Sequence, residues 1–208
     1  MYTRMSGIIF YILVWISACT NDKKHGVSDQ KSSANDSVIN VKKKTIVFFG
    51  NSLTAGYGLS PEQAFPALIQ KKIDSLKLPY QVVNAGVSGE TSAGGKTRID
   101  WILQQPVDIF VLELGANDGL RGIPLTETRK NLQAIINRVK EKSPRTKIIL
   151  AGMMIPPNMG PQYTREFQSI YPDLAKANQV SLIPFLLEGV GGEANLNQAD
   201  GIHPTAEG

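Results

Sequence analysis

Short apolar segments alternate with segments of helical periodicity from residue 45 onward. Five segments are β-rich, and four of them meet glycine at or near their carboxyl ends: 45–50, 81–86, 108–115, 147–153 and 181–186. The intervening sequence predicts helices at 61–76, 93–104, 125–141 and 164–178. This alternation is typical of a parallel sheet with helices on both faces. We therefore predict an α/β fold, a single-domain three-layer α/β/α sandwich with a five-stranded parallel sheet.

The chain before residue 45 differs from the rest in composition. Residues 1–18 have a basic start and an apolar run too short for an ordinary membrane span, which predicts a signal peptide. Cys19 follows Ile-Ser-Ala, as in the bacterial lipobox, where the cysteine is lipidated; an incidental cysteine after a plain secretory signal is the alternative. Residues 19–44 are polar and predict a flexible linker before the folded domain at 45–208. We expect export to the bacterial cell envelope and a lipid anchor to a membrane at Cys19.

Composition also limits the chemistry of the folded domain. Cys19 is the only cysteine, so no disulfide or thiol nucleophile is expected there. One of the two histidines, His25, lies in the linker, so we predict no structural metal, and we name no cofactor. Residues 20–44 hold six lysines against three aspartates, whereas 45–208 balance 15 basic against 15 acidic residues. The basic excess thus lies before the folded domain, mostly in the linker, and we predict a monomer with no nucleic-acid partner.

Polar motifs follow the predicted strands at their carboxyl ends. Ligands bind at this edge of parallel α/β sheets, so the motifs are expected to converge on one site. In chain order they are Ser52, then Ser88 and Gly89, then Asn117 and Asp118, then residues 156–163, and finally Asp200 and His203.

An acid, a histidine and a serine among these residues indicate nucleophilic catalysis. Asp200 and His203 are close enough in sequence for one turn to join carboxylate and imidazole, which leaves the second ring nitrogen for the Ser52 hydroxyl. Pro204 favours a helix start, which predicts an exposed His203 at a helix cap. Ser52 is expected to be exposed beside backbone amides, although a turn or helix-cap serine is the alternative. Thr54 occupies the last glycine position of GxSxG and excludes the α/β-hydrolase elbow.

The loops after the second and third strands add hydrogen-bond donors. Gly89 can bring its amide close to a substrate oxygen, or can serve only its turn. Asn117 can donate to an oxyanion, or can be a simple turn former, and Asp118 is expected to support its loop. GGKT at 94–97 prompts a nucleotide-binding alternative, but a P-loop requires glycine where the chain has Glu90.

Four sequence blocks, in this order along the chain, together resemble the SGNH (GDSL-type) hydrolase family over residues 45–208. The blocks are GNSLTAGYGL, NAGVSGETSAGG, GANDGL and DGIHPT. Other segments of the chain resemble one branch of this family, that of thioesterase I, arylesterase and lysophospholipase. The resemblance implies a flavodoxin-like fold and a triad of Ser52, His203 and Asp200. It also implies an oxyanion hole formed by the amides of Ser52 and Gly89 and the side chain of Asn117.

The implied substrates are esters or thioesters of acyl chains, such as arylesters, acyl-CoA-type thioesters or lysophospholipids. Leu120, Ile123, Ile155 and Pro156 are candidates for an acyl groove, although residues 153–155 can equally finish a core strand. A carbohydrate O-acetyl esterase of the same fold is one alternative function. A non-catalytic surface lipoprotein is another.

Two features depart from the family pattern. Asn51 stands where most members have aspartate, so a carboxylate near the nucleophile is expected to be absent. Relatives continue through a final helix that packs on the sheet, whereas this chain stops at Gly208, four residues after Pro204. Either the sequence is a fragment or the helix is missing, and if the helix is missing we expect reduced stability and a poorly positioned His203.

Overall fold

The computed structural model describes residues 42–208, so the predictions for the signal peptide, for Cys19 and for most of the linker lie outside the described residues. The described region contains one five-stranded sheet, formed by β1 (Lys44–Gly50), β2 (Tyr80–Gly86), β3 (Ile109–Glu113), β4 (Lys147–Ala151) and β5 (Ser181–Ile183). The strand order is β2-β1-β3-β4-β5, and all neighbouring strands are parallel. The predicted five-stranded parallel sheet is confirmed.

In residues 42–208, six α-helices connect or follow the strands: α1 (Ser52–Ala55), α2 (Phe65–Ser75), α3 (Ser92–Ile102), α4 (Ala116–Leu120), α5 (Leu125–Lys142) and α6 (Pro161–Asn178). The four longer helices match the predicted ones. Helices α1 and α4 have only four and five residues, too few to show a helical period in the sequence. Within residues 42–208, no helix is both long and apolar enough to cross a membrane.

The interior strand β1 shows why the helices lie on both faces of the sheet. Successive side chains of a strand point to opposite faces. Phe49 belongs to the main core with residues of α3 and α5 and lies 5.3 Å from the ring of Phe110. Phe48 points the other way and meets Phe65 of α2 edge-on, at 5.3 Å between ring centroids. The strand is therefore buried on both sides, which explains its continuous apolar sequence.

The end of the described chain is paired backbone rather than helix. Asn197 and Pro204 form an antiparallel bridge. The amide of Gln198 donates to the carbonyl of His203 at 2.7 Å, and Thr205 donates to Leu196 at 2.9 Å. The prediction of a helix starting at Pro204 is wrong for residues 204–208, because this segment pairs with residues 196–198 instead.

Candidate active site

Ser52 lies at the carboxyl end of β1, where the chain turns into α1. Asn51 caps this helix by accepting a hydrogen bond from the amide of Leu53 at 2.9 Å, which leaves Ser52 as the first helical residue. The Ser52 Oγ lies 2.7 Å from Nε2 of His203. Ser52 is only 8% exposed, so the expectation of an exposed serine is wrong. The imidazole of His203 lies against the hydroxyl, and Ser52 lines a cavity.

Asp200 completes a hydrogen-bonded chain with His203 and Ser52. Its Oδ2 lies 2.7 Å from Nδ1 of His203. Its Oδ1 accepts the amides of Ile202 and His203, each at 3.0 Å. The Ile202 amide, followed by the bond to the imidazole, lowers the pKa of Asp200 to about 2. The carboxylate is therefore ionised at any pH at which a histidine can act as a base.

His203 is held by neighbours that the sequence analysis did not identify. The side chain of Gln198 donates to the carbonyls of Tyr57 and Pro204, at 2.7 and 2.8 Å. The ring of Tyr57 lies 4.7 Å from the imidazole, between centroids. The expectation of a poorly positioned His203 is therefore wrong for the described structure. The imidazole is also more covered than expected, with 15% of its side chain exposed.

The loops after β2 and β3 bring Gly89 and Asn117 to the same edge. Gly89 has φ +77° in a turn closed by the Glu90 amide on the Val87 carbonyl, a conformation that favours glycine. The Asn117 side chain donates to the Glu90 carbonyl at 2.9 Å and lines the cavity with Ser52. Gly89 lies outside the residues that line the cavity. Among the described residues, the amides of Ser52 and Gly89 have no hydrogen-bond acceptor.

Asp118 supports the Asn117 loop from below. It is 1% exposed and accepts hydrogen bonds from the Ser92 amide at 2.8 Å and the Ser92 hydroxyl at 2.5 Å. Thr128 donates to the same carboxylate at 3.3 Å. Asp118 thus ties α4 to the start of α3 and to α5, which is the supporting role expected from the sequence.

Arg98 of α3 is a second supporting residue, and the sequence analysis missed it. Its guanidinium forms an ion pair with Glu90 and donates to the carbonyl of Ala85 at 2.8 Å. It also reaches the carbonyl of Gly50 at 3.4 Å and stacks 3.9 Å above the ring of Phe49. One cation therefore joins the ends of β1 and β2 to the loop of Gly89. An arginine at a helical position carries no sequence signal that distinguishes it from a surface residue.

A buried carboxylate, Glu113, lies directly beneath the serine turn. It is 0% exposed and ends β3 opposite Gly50 of β1. Oε2 accepts the Asn51 amide at 3.0 Å and the Thr54 hydroxyl at 2.8 Å, while Oε1 accepts the Asn51 side chain at 2.6 Å. A Cβ at Gly50 would collide with the carboxylate and with Thr54. The aspartate carboxylate that most members have at position 51 is absent, as the sequence indicates, but the carboxylate of Glu113 contacts Asn51 instead. The sequence signal of Glu113 was an acid in the otherwise apolar run of β3.

Burial of Glu113 has a measurable consequence for stability. Desolvation raises the pKa of Glu113 from 4.5 to about 7. The folded protein therefore keeps this proton over a range in which the unfolded chain loses it. Stability from this group is complete below pH 4.5 and is lost as the pH rises to about 7, a loss of about 3 kcal/mol. Urea unfolding at several pH values is expected to show this decline in the unmodified protein and not in Glu113→Gln.

The control for that measurement is Glu141→Gln, which removes an exposed carboxylate on α5. It is expected to retain the decline. An equal slope in Glu113→Gln and the unmodified protein would show that Glu113 titrates normally.

A cavity of about 380 Å³ opens beside Ser52 and is predominantly apolar. Leu120, Ile155 and Pro156 line it as predicted, together with Met153, Met154, Phe185 and Leu187. Met153 and Ile155 also belong to the buried core, but β4 ends at Ala151, so residues 153–155 do not finish a core strand. Ile123 does not line the cavity, and that prediction is wrong. Its amide bonds to Asp118 and its carbonyl accepts the Tyr163 hydroxyl, which places it behind α4.

Two pairs of oppositely charged side chains lie at this edge. Asp200 pairs with His203, and Glu90 pairs with Arg98. Among residues 42–208, no group of three or more histidine, cysteine, aspartate or glutamate side chains could hold a metal ion.

Comparison with known proteins places this arrangement in a family. The model of the GDSL-like lipase/acylhydrolase family matches residues 48–208. The chain is 40% identical over 162 residues to esterase TesA of Pseudomonas aeruginosa, covering 77% of this chain and 80% of that protein. It is also 40% identical over 164 residues to thioesterase 1/protease 1/lysophospholipase L1 of Escherichia coli K12, covering 78% and 76%.

Solved structures agree with this assignment. The crystal structure of TesA superposes with a TM-score of 0.75 at 39% identity, over 79% of this chain and 91% of that one. The SGNH-hydrolase family esterase AlinE4 gives a TM-score of 0.72 at 41% identity, over 80% and 88%. The matched region contains every strand of the sheet except the start of β1, and the whole of the cavity edge. The chain belongs to the GDSL-like lipase/acylhydrolase family and is an ester hydrolase.

Proposed function

We propose that Ser52, His203 and Asp200 are the catalytic triad of this esterase. The observation that carries the proposal is the continuous hydrogen-bonded chain, with 2.7 Å from Asp200 to His203 and 2.7 Å from His203 to Ser52. His203 removes the proton from Ser52 as its oxygen attacks the acyl carbonyl, and Asp200 holds the tautomer in which Nε2 is the acceptor. His203 then protonates the leaving alcohol or thiol. Water releases the acyl group by the same steps.

The tetrahedral intermediate needs donors for its negative oxygen. The proposed donors are the amides of Ser52 and Gly89 and the side chain of Asn117. Two observations support this role: both amides lack an acceptor in the described region, and Asn117 lines the cavity. The bond from Asn117 to the Glu90 carbonyl holds its amide group at this edge. Each such donor typically contributes on the order of 100-fold to 1000-fold in rate.

The proposed substrates are carboxylic esters or thioesters with an apolar acyl chain, including arylesters, acyl-CoA-type thioesters and lysophospholipids. An apolar cavity next to Ser52 supports an acyl group longer than acetyl, because burial of each methylene contributes about 0.8 kcal/mol. The relatives named above carry the names esterase, thioesterase and lysophospholipase. The volume of about 380 Å³ fits one acyl chain better than two, since sites of this size are at the small end for organic ligands.

The proposed location is the bacterial cell envelope, with residues 1–18 as an export signal, Cys19 as the lipid-anchor site and residues 19–44 as a polar linker. The support is the apolar run followed by a lipobox-like sequence. An anchor at Cys19 would place the hydrolase domain beside membrane lipids. Lysophospholipids released there would be within reach of its site.

A series of p-nitrophenyl esters of increasing acyl length tests the substrate class. We expect kcat/KM to increase from acetyl to medium-length chains, with Ser52→Ala as the background control. Leu120→Trp, which narrows the cavity, is expected to lower kcat/KM for the longer esters about tenfold while sparing the acetyl ester. The matched control is Leu76→Trp, at an exposed position after α2. Activity confined to acetyl esters would favour the carbohydrate O-acetyl esterase alternative.

A further inference from the structure

The orientation of the Asn51 side chain is determined by its two partners. The amide of Leu53 can only donate, so the atom that it meets at 2.9 Å must be Oδ1 of Asn51. The other end of the side chain is therefore the NH₂ group, which donates to Oε1 of Glu113 at 2.6 Å. Oδ1 also lies 3.4 Å from Oγ of Ser52. Asn51 thus bridges the first turn of α1 to the buried acid.

We propose that Glu113 is a positioning residue for Ser52, and that it acts through Asn51 in its carboxylate form. The inference rests on the proposed role of Ser52 as the nucleophile. Glu113 does not touch the cavity, so it cannot contact substrate. Its contribution is to fix Asn51 at both its backbone amide and its side chain. These two bonds set where α1 starts and therefore where the Ser52 hydroxyl lies.

The carboxylate form is favoured by its partners because the backbone amide and the NH₂ group of Asn51 donate to it and cannot accept. A protonated Glu113 would carry a hydroxyl that needs an acceptor. The only acceptor among its partners is the Thr54 hydroxyl, whose own donation to Oε2 would be lost. The backbone amide and the NH₂ group of Asn51 would then donate to a neutral acid, which is a weaker acceptor than a carboxylate. Protonation is therefore expected to loosen the turn.

Other charged or titratable groups surround this acid on three sides. From α3, Arg98 reaches the Gly50 carbonyl, but its ion pair is with Glu90. From α6, the phenol of Tyr171 donates to the carbonyl of Leu114. On the cavity side, His203 lies beyond Ser52. No cation among the described residues pairs with Glu113, and burial accordingly raises the pKa of Glu113 to about 7.

Protonation of His203 and protonation of Glu113 are both expected to lower kcat/KM. A general base that already carries a proton can no longer accept the Ser52 proton. Lowering the pH also protonates Glu113 near neutral pH. Where Glu113 titrates, the acid side of the profile of log kcat/KM against pH is therefore expected to have a slope greater than one, because loss of the carboxylate lowers the rate in addition to the effect of His203.

Exchanging the acid and the amide between positions 51 and 113 tests the positioning role of Glu113. In this reversed pair, Asn51→Asp/Glu113→Gln, the introduced carboxylate accepts the Leu53 amide with one oxygen and the introduced glutamine NH₂ with the other. The glutamine oxygen still accepts the position 51 amide and the Thr54 hydroxyl. Every hydrogen bond of the original pair is kept, and only the bond between the two side chains reverses its direction. The single change Glu113→Gln instead sets one NH₂ group against another, which leaves a buried donor unsatisfied.

The experiment compares Glu113→Gln, the reversed pair and the control Glu141→Gln on one soluble p-nitrophenyl ester across the pH range. For Glu113→Gln we expect kcat to fall about 10-fold to 100-fold with little change in KM, because a displaced nucleophile affects the reaction more than binding. For the reversed pair we expect most of the activity to return and the acid slope to decrease to one. The control is expected to match the unmodified protein in activity and slope.

Either of two results would overturn the inference: unchanged kcat in Glu113→Gln, or an acid slope in the reversed pair as steep as in the unmodified protein. If Glu113→Gln does not fold, the acid slope of log kcat/KM against pH in the reversed pair still tests the inference. Ser52→Ala is measured alongside. Activity retained in Ser52→Ala would refute the proposed mechanism itself, whereas an inactive Ser52→Ala with normal Glu113→Gln would refute only the role of Glu113.

Discussion

Ser52→Ala is expected to lower kcat for ester hydrolysis by on the order of 10⁴-fold to 10⁶-fold. The loss follows because the acyl-enzyme cannot form without the hydroxyl, and no cysteine lies in the described region to replace it. The cavity and the proposed oxyanion donors remain, so KM should change little. Steady-state kinetics on a medium-chain p-nitrophenyl ester measures both constants.

Ser75→Ala is the matched control for this prediction. Its hydroxyl is exposed at the end of α2 and bonds only to the carbonyl of Lys72. We expect normal kinetics from this variant. A Ser52→Ala protein with even one hundredth of the normal kcat would contradict a covalent mechanism at Ser52, since uncatalysed water attack in the same site is far slower.

Asp200→Asn is expected to lower kcat about 10⁴-fold while leaving the fold intact. The structure gives the reason. One oxygen of the side chain must continue to accept the amides of Ile202 and His203, so the NH₂ group of the introduced asparagine faces Nδ1 of the imidazole. Nδ1 must then accept, and the ring proton moves to Nε2. An imidazole with its proton on Nε2 cannot accept the proton of Ser52.

Kinetics of Asp200→Asn across the pH range measure this effect, with Asp173→Asn as control. Asp173 is an exposed carboxylate on α6 that pairs with Arg129, away from the cavity. The control is expected to retain normal kcat. Near-normal kcat in Asp200→Asn would show that Asp200 does not determine the tautomer of His203.

The sheet could be predicted from the sequence because its central strands are buried on both faces. The alternating side chains of β1, such as Phe48 and Phe49, both meet helices, so apolar residues run without interruption. The strand ends were less certain. The run at 108–115 continues past the end of β3 at Glu113, because Leu114 is buried in the loop as fully as any strand residue. A run of apolar residues indicates burial, and buried residues can continue past the end of a strand.

The contacts around the nucleophile could be predicted only in part. The order of Ser52, Asp200 and His203 was visible in the sequence, and their short distances follow from strands that end at one edge. The burial of Ser52 was not visible, because it depends on the imidazole that lies against its hydroxyl. Glu113 was also overlooked, since its partners Asn51 and Thr54 are about 60 residues away in sequence and become neighbours only when β1 and β3 pair.

Helix prediction at Pro204 failed for a related reason. Proline favours a helix start locally, but the backbone around it pairs with residues 196–198, and that pairing decides the conformation. The same pairing holds His203 through Gln198, a residue with no motif of its own. Local preferences therefore identified the reactive groups but not the contacts that orient them.

The most direct test of the central claim is labelling with a fluorophosphonate probe, followed by mass-spectrometric identification of the modified residue. The account predicts a single covalent adduct on Ser52 that is lost in His203→Ala, because only the serine bonded to the imidazole is activated. An adduct on a different serine, no adduct in the folded protein, or undiminished labelling in His203→Ala would contradict it.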